Sequence, residues 1–404
     1  MSTPEVFPKL KTLPPYVFSV VDALKMEARR KGEDIIDLGM GNPDLKTPEP
    51  VVKKLIEVVK DPKTHRYSAS RGIKRLRENI AAFYERRFGV SLDPDTQVCV
   101  TIGVKEGLSH LMLVVTSEGG CVFVPAPSYP IHAYSVIIAG GRLVHVPMLP
   151  EDEFLGQLDK ALSKDRATYK IVLLSFPHNP TTVCQDRTFF ERVTQLARDH
   201  RAWVVHDFAY ADLCFEDYKA PSLLQIPGSM DVGLEFFSFS KSFSMAGWRL
   251  GFAVGNPTLI RALTRIKSYL DYGVFTPIQV AGITALNLEN HYVQDIVETY
   301  QRRRDVLVDG LNRIGWEVQK PKATMFLWAK VPEPFDKLGS LRFAEFLVKE
   351  AKVAVSPGIG FGELGEGYVR MALVENEHRI RQALRGYLGW LEKALAAAID
   401  QFKP

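Results

Sequence analysis

Seven short runs of β-branched and aromatic residues recur between residues 98 and 255, and longer amphipathic stretches separate most of them. The runs are VCVTIG, CVFVPAP, GRLVHVPM, KIVLLSFP, RAWVVHDF, LEFFSFS and RLGFAVG. Strands that alternate with helical patterns pair in parallel, because a parallel connection needs room for a crossover helix. The alternation therefore predicts an α/β fold in which helices cover both faces of a mostly parallel, seven-stranded sheet.

Helical patterns dominate the chain after this region and predict a second, smaller unit. A long amphipathic pattern runs through DIVETYQRRRDVLVDGLNRIG, and the chain closes with HRIRQALRGYLGWLEKALAAAI. Apolar residues recur in both segments at the spacing of one helix face. We expect this remainder to form a smaller α+β domain.

Composition and charge indicate which kinds of partner the protein binds. The 404 residues are 46% hydrophobic, which is enough for a large core. The formal net charge is only +4, and the acidic and basic residues are interspersed, so there is no basic face for nucleic acid. No apolar run approaches membrane-spanning length, and the N-terminal segment carries prolines and charges. We therefore expect a cytoplasmic protein that binds a small molecule, with no nucleic-acid or membrane partner.

The cysteines and one glycine-rich motif argue against two further classes of site. The four cysteines are widely separated and form neither a CxxC pair nor a Cys/His cluster, so we expect neither a disulfide framework nor a metal site. The segment GFGELG, from Gly360 to Gly365, matches the spacing of a nicotinamide-binding loop. A strand-like run follows it where a helix is required, so we predict an ordinary loop.

Polar or aromatic residues follow five of the predicted strands. Ligands of open α/β sheets bind outside the carboxyl ends of the strands, so these positions are candidates for a site. A single such end is commonly a turn or a helix cap, whereas five together predict one binding site at the sheet edge. In chain order the residues are Gly103, Val104, Lys105, Tyr129, Asn179, Asp207, Tyr210 and Lys241.

Lys241 follows the apolar run LEFFSFS directly and suggests the chemistry of this site. A lone lysine at a strand end is usually solvated, but a desolvated lysine loses its proton and can bond covalently to an aldehyde. That chemistry points to pyridoxal phosphate. The cofactor also needs an anion at its pyridine nitrogen, donors for its phosphate and groups that hold its ring.

The ring of such a cofactor has candidate partners in this sequence. Asp207 follows four apolar residues and would be costly to bury unpaired, and a pyridinium N–H would satisfy it. Asn179 and Tyr210 can donate to the phenolate oxygen, and Tyr129 can stack on the ring face. Taken singly, Asp207 also fits a helix N-cap, Asn179 a turn, and Tyr129 plain packing.

The phosphate has candidate donors as well. Gly103 and Val104 can present backbone N–H groups at a helix start, where the helix dipole favours an anion. Ser238 adds a hydroxyl, Ser240 two residues later is a further candidate for binding the cofactor, and Arg249 offers a bidentate charge. Without Lys241 nearby, Gly103 would be an ordinary tight turn and Arg249 a surface arginine.

Eight segments together resemble the class I/II aminotransferases, the fold type I pyridoxal-phosphate enzymes. They stand in the family's order, cover nearly the whole chain, and begin by Leu38, so we do not expect the DNA-binding module of a related type of regulator. Lyases and racemases with this cofactor would use the same cofactor residues. The segments are DLGMGNPDLKTP, YSASRGIKRLRENI, TIGVKEGL, PAPSYP, PHNPT, HDFAY, SFSKSFSMAGWRLGF and YVRMAL.

The resemblance implies further residues and an assembly. Gly41 and Arg370 would lie near the substrate carboxylate, and Tyr67 would reach the cofactor phosphate of a partner subunit in a homodimer with shared sites. Tyr16 is a candidate for the substrate pocket, with core packing as the alternative reading. The large domain would span residues 47–290, and residues 1–46 would fold with residues 291–404 in a discontinuous small domain.

The substrate is the least determined feature. The chain looks most similar to bacterial glutamate–pyruvate (alanine) transaminases, in segments such as KEGLSHLML and SPGIGFGE. LL-diaminopimelate, aspartate and methionine aminotransferases are close alternatives. No arginine lies between Ser268 and Gly282, which argues against one mode of dicarboxylate recognition. Lys105 stands where another subgroup of the family binds a distal carboxylate, although a solvated helix-start lysine fits equally well.

Overall fold

The computed structural model describes residue 7 and residues 12–13, 17–116, 119–148, 150–333, 335–387 and 389. The labelled helices are α1 Phe18–Arg30, α2 Glu49–Val58, α3 Lys74–Phe88, α4 Gly103–Val115, α5 Pro130–Ala139, α6 Glu151–Lys164, α7 Arg187–Asp199, α8 Phe239–Ser242, α9 Pro257–Leu270, α10 Thr276–Leu286, α11 Asn290–Arg313 and α12 Ser340–Phe346. The strands are β1 Ile36–Asp37, β2 Val98–Thr101, β3 Gly120–Ala126, β4 Arg142–Pro147, β5 Tyr169–Leu174, β6 Ala202–Asp207, β7 Gly233–Ser238, β8 Gly251–Gly255, β9 Phe326–Lys330, β10 Val353–Ala354, β11 Ser356–Pro357 and β12 Tyr368–Ala372.

Within the described residues, seven strands form the central sheet in the order β2-β8-β7-β6-β5-β3-β4. β8 is antiparallel to both of its neighbours, and the other pairs are parallel. The segment between β7 and β8 carries only the short α8 and a turn, too little for a helix that crosses the sheet. The prediction of a mostly parallel, seven-stranded α/β sheet is confirmed.

Helices cover both faces of this sheet, as the unbroken apolar runs predict. Every residue of β3 is buried, and its side chains alternate between two cores. Val122 packs in one core with Leu108 of α4, and Phe123 packs in the other with Leu158 of α6. A strand can be apolar at every position only when both of its faces are covered, which explains why these runs do not alternate with polar residues.

The remaining strands form two small sheets outside the central one, among the described residues. β11, β12 and β9 form an antiparallel sheet, and β1 pairs in parallel with β10. The pairing of Ile36 with Val353 brings the N-terminal segment against the C-terminal third. The domain boundaries at residues 46/47 and 290/291 stay a prediction.

The C-terminal amphipathic pattern is helical over residues 377–387, and most of its remainder lies outside the described residues. No helix in the described ranges is long and apolar enough to cross a membrane.

Strand directions bring the predicted strand ends to one edge. β3, β5, β6 and β7 are parallel, so their carboxyl ends lie together. β2 and β7 both run antiparallel to β8, and Gly251 of β8 pairs with Thr101 of β2 and with Ser238 of β7. All five predicted strand ends therefore meet at the same side of the sheet.

Candidate active site

A cavity of about 760 Å³ lies at this edge, between the central sheet and the small sheets. Most of the residues that the sequence singled out line it, although they are far apart along the chain. The lining includes Gly41, Val104, Lys105, Tyr129, Asn179, Asp207, Tyr210, Ser238, Ser240, Lys241, Arg249 and Arg370.

Lys241 lies on α8, in the first turn after β7. The hydroxyl of Ser238 caps this turn by accepting a hydrogen bond from the Ser240 N–H at 3.2 Å. Lys241 Nζ donates to the carbonyl oxygen of Gly41 at 3.2 Å. Desolvation by the surrounding protein, with repulsion from Arg370 and Arg249, lowers the pKa of Lys241 to about 7, although Asp207 opposes the shift. The amine is therefore poised to lose its proton at neutral pH.

Asp207 ends β6 and is buried beside His132. Its Oδ2 lies 2.9 Å from His132 Nε2, and its Oδ1 accepts a hydrogen bond from the Ala209 N–H. A turn rather than a helix follows Asp207, so the alternative role as a helix N-cap is wrong. Sequence reasoning missed His132, and the signal was its position three residues after Tyr129, one turn along α5.

Asn179, Tyr210 and Arg370 form a hydrogen-bonded group in the cavity. Arg370 Nη1 donates to Asn179 Oδ1 at 2.7 Å, and Asn179 Nδ2 lies 3.5 Å from the Tyr210 hydroxyl oxygen. Burial raises the pKa of Tyr210, so its hydroxyl keeps its proton and can donate.

Two aromatic rings contact the Arg370 guanidinium, one from β9 and one from the loop before β12. Its Cζ lies 4.0 Å from the ring centre of Phe326 and 4.6 Å from that of Phe361. Such contacts fix the planar fork of an arginine, which suits bidentate binding of a carboxylate. Neither phenylalanine was predicted, because only the tertiary packing brings them to Arg370.

The start of α4 forms a crowded turn that fits an anion. Gly103 has a φ of +73°, and a Cβ there would lie 2.4 Å from Arg249 Nη2. A Cβ at Gly251 would lie 3.0 Å from the backbone nitrogen of Val104. Glycine at both positions lets the arginine and the strand approach the helix N-terminus, where N–H groups and charge converge.

Three further predictions concern Tyr67, Tyr16 and the glycine-rich segment. Tyr67 is 85% exposed, and its ring centre lies 4.7 Å from that of Tyr272. Tyr16 lies outside the described residues. Gly360–Gly365 forms short turns that lead into β12, as the prediction of an ordinary loop requires.

A comparison with protein families decides what this arrangement is. The model for aminotransferase class I and II matches residues 33–386. The chain belongs to this aminotransferase family. The fold is that of a fold type I aminotransferase, and the chain is a transaminase that depends on pyridoxal phosphate.

Three similar proteins illustrate the range of relatives of this aminotransferase. Glutamate-pyruvate aminotransferase AlaC of Escherichia coli is 54% identical over 94% of this chain and 92% of its own length. LL-diaminopimelate aminotransferase of Syntrophobacter fumaroxidans is 41% identical over 93% of this chain and 96% of its own. The substrate-bound BacF structure from Bacillus subtilis has a TM-score of 0.89 at 34% identity and covers 96% of this chain and 98% of that one.

The cavity of the aminotransferase fits pyridoxal 5′-phosphate, the cofactor of this family. A desolvated lysine, a buried carboxylate and a crowded helix N-terminus beside an arginine are the partners that its aldehyde, pyridine nitrogen and phosphate need. The donor set would not suit a nicotinamide, because no glycine-rich strand-to-helix turn of that type lies among the described lining residues.

Proposed function

We propose that this aminotransferase moves the amino group of L-alanine to 2-oxoglutarate, giving pyruvate and L-glutamate. The observation that carries the proposal is the 54% identity, over nearly the whole chain, to a protein named as a glutamate-pyruvate aminotransferase. The site geometry supports the general chemistry, the choice of alanine rests on this similarity, and Lys105 supports glutamate as the other substrate.

Lys241 and Asp207 carry the proton transfer and the charge stabilisation in this proposal. Pyridoxal phosphate, when bound, withdraws electrons from the substrate's Cα. Lys241 Nζ removes the proton from that Cα, because its lowered pKa of about 7 leaves a substantial fraction of the amine neutral near pH 7. Asp207, oriented by His132, holds a proton on the pyridine nitrogen and so stabilises the developing charge.

Binding of the substrate is assigned to the other side of the cavity. Arg370 grips the α-carboxylate and thereby orients the Cα–H bond toward Lys241. Asn179 and Tyr210 hold the phenolate oxygen, and Gly103, Val104, Ser238, Ser240 and Arg249 hold the phosphate. Lys105, exposed on the first turn of α4 and lining the cavity, binds the distal carboxylate of glutamate.

We expect the bond between Lys241 and the cofactor to form faster as pH rises, with a midpoint near pH 7. Lys241 is protonated and unreactive below its pKa of about 7 and neutral above it. An ordinary lysine amine, by contrast, stays protonated up to about pH 10.5. Stopped-flow absorbance of cofactor-free protein mixed with pyridoxal phosphate measures this rate. A midpoint near that of an ordinary amine would contradict the shift.

A panel of amino donors tests the substrate. Alanine and glutamate are expected to convert the cofactor to its amino form far faster than aspartate or LL-diaminopimelate, by absorbance in single-turnover mixing. Replacing Lys105 by methionine is expected to lower kcat/KM for glutamate roughly tenfold, the size of one lost charged contact, and to leave alanine unchanged. The alanine rate is the internal control.

The opposite order of donors would favour the second candidate, an LL-diaminopimelate aminotransferase. That reading is supported by several relatives so named at about 40% identity over most of this chain. The panel also includes methionine, which together with aspartate covers the other alternative donors. A fastest reaction with LL-diaminopimelate, aspartate or methionine would overturn the alanine assignment and leave the cofactor chemistry standing.

We propose that the enzyme is a homodimer in which Tyr67 reaches the phosphate in the partner's site. Support comes from exposed aromatic side chains on neighbouring segments, with Tyr67 at 85%, Tyr269 at 77% and Tyr272 at 64% exposure. Aromatic clusters of this kind are typical of surfaces that a partner covers.

Hybrid dimers test this assembly. Sedimentation is expected to give twice the chain mass, and Tyr67→Phe to weaken cofactor binding. In a hybrid of a Lys241→Ala chain with a Tyr67→Phe chain, the site that keeps Lys241 is expected to regain normal cofactor affinity, because its tyrosine comes from the other chain. Affinity equal to that of the Tyr67→Phe dimer would show that the tyrosine acts within its own chain.

A further inference from the structure

A buried lysine lies behind the phosphate-binding turn and takes no part in the site described above. Lys267 of α9 is fully buried, and its Nζ donates to Glu106 Oε1 at 2.8 Å and to Asp271 Oδ2 at 3.0 Å. Glu106, Asp271 and His110 approach one another closely enough to resemble a metal site. The ammonium of Lys267 contacts both carboxylates and offsets one of their two negative charges, so the cluster is an ion-pair network.

One end of this network fixes the turn that begins α4. Glu106 Oε2 accepts a hydrogen bond from the backbone N–H of Ile102 at 2.7 Å. Ile102 directly precedes Gly103, whose α-carbon has almost no free space beside Arg249. A small rotation of this turn would change where the N–H groups of Gly103 and Val104 point.

The other end holds the segment that carries Tyr67. The carbonyl oxygen of Asp271 accepts a hydrogen bond from Ser70 Oγ at 2.7 Å, and its Oδ1 accepts one from Gly273 N–H at 2.6 Å. Tyr272, between Asp271 and Gly273 in the chain, packs its ring against that of Tyr67. Asp271 therefore connects to residues 67–70 through its backbone and through the residue that follows it.

The energetics favour a positioning role for this network. Desolvation opposes the charge of Lys267, yet the two carboxylates raise the pKa of Lys267 overall, so it stays charged. Buried ion pairs add little stability compared with apolar packing of the same volume, and their best-attested use is to fix a specific geometry. Here the geometry that is fixed includes both the α4 turn and the Tyr67 segment.

We propose that Glu106, Lys267 and Asp271 are positioning residues that keep the phosphate-binding turn in register with the segment carrying Tyr67. Each chain then presents its own N–H groups to one phosphate and its tyrosine to the phosphate of the partner subunit. The inference rests on the proposed cofactor roles of Gly103, Val104 and Tyr67.

The test compares pyridoxal phosphate with pyridoxal, which lacks the phosphate, by absorbance titration of cofactor-free protein. Lys267→Met is expected to weaken pyridoxal phosphate binding roughly ten- to hundredfold, the effect of a misplaced charge-assisted hydrogen bond, and pyridoxal less than about twofold. Lys31→Met is the matched control, because Lys31 forms an exposed ion pair with Glu27 four residues away. Equal losses for both ligands in a folded variant would overturn the proposal.

Glu106→Gln keeps the size of the side chain and covers the case in which Lys267→Met does not fold. It is expected to shift the ratio of the two affinities in the same direction, and an unchanged ratio would contradict the positioning role. Failure of the unaltered protein to discriminate between the two ligands would instead refute the proposed phosphate site.

A double-mutant cycle tests the connection to Tyr67. If the network holds both phosphate partners, Tyr67→Phe is expected to cost less affinity in Lys267→Met than in the unaltered protein. Additive losses would show that the network positions the α4 turn alone and would overturn the coupling. Circular dichroism and the thermal midpoint of each variant confirm that folded proteins are compared.

Discussion

Replacing Lys241 by alanine is expected to lower the rate of transamination on the order of 10⁴-fold and to abolish the covalent bond to the cofactor. The structure gives two reasons. Lys241 lines the cavity with a pKa lowered to about 7, and its Nζ donates a hydrogen bond to the carbonyl oxygen of Gly41. Its removal would take away both the proposed covalent attachment and the proposed base for the Cα proton.

Borohydride reduction followed by peptide mapping checks the attachment directly, because reduction makes the lysine–cofactor bond permanent. The labelled peptide is expected to contain Lys241. Lys105→Met is the matched control, since it removes a different lysine from the same cavity and is expected to leave the labelled peptide unchanged. A label on another lysine would show that the assignment is wrong.

Replacing Asp207 by alanine is expected to lower kcat on the order of 10²-fold or more while some cofactor remains bound. The carboxylate is buried at the end of β6 and lies 2.9 Å from His132 Nε2, so a bound pyridine nitrogen would meet an oriented negative charge in a poorly solvated setting. Single-turnover rates measured at saturating cofactor separate this effect from weaker cofactor binding.

Asp207→Asn and His132→Asn sharpen the interpretation. Asn at position 207 keeps the shape and loses the charge, so it is expected to be nearly as slow as alanine. Asn at position 132 leaves the Asp207 carboxylate in place and is expected to lower kcat less than either Asp207 variant does. Near-normal turnover in both Asp207 variants would remove the residue from the mechanism.

Local patterns were enough to predict the central sheet. Its strands are short apolar runs that are buried on both faces, and burial of this kind leaves a continuous signal in the sequence. The position of β8 between β2 and β7 carries no such signal, because strand order depends on how distant segments pack. The pairing of Ile36 with Val353 is of the same kind, and only the family resemblance led us to expect that the two ends fold together.

The site shows the same division. The strand ends from Gly103 to Lys241 are visible in the sequence, because polar or aromatic residues follow five apolar runs directly. The partners that orient these residues are not visible. His132 lies on α5 and meets Asp207 across 75 positions of the chain, and Phe326 and Phe361 reach Arg370 from separate segments.

The sequence by itself therefore determined the fold class, and it predicted Lys241 and the strand ends at which a phosphorylated aldehyde could bind. It did so because hydrophobic periodicity and strand ends are local properties of the chain. Only the tertiary structure decided which side chains orient Asp207 and Arg370, how far Lys241 is desolvated, and that Lys267 joins Glu106 to Asp271. Hydrogen bonds, desolvation and ion pairs depend on distances of a few ångströms between residues far apart in sequence, and packing sets those distances.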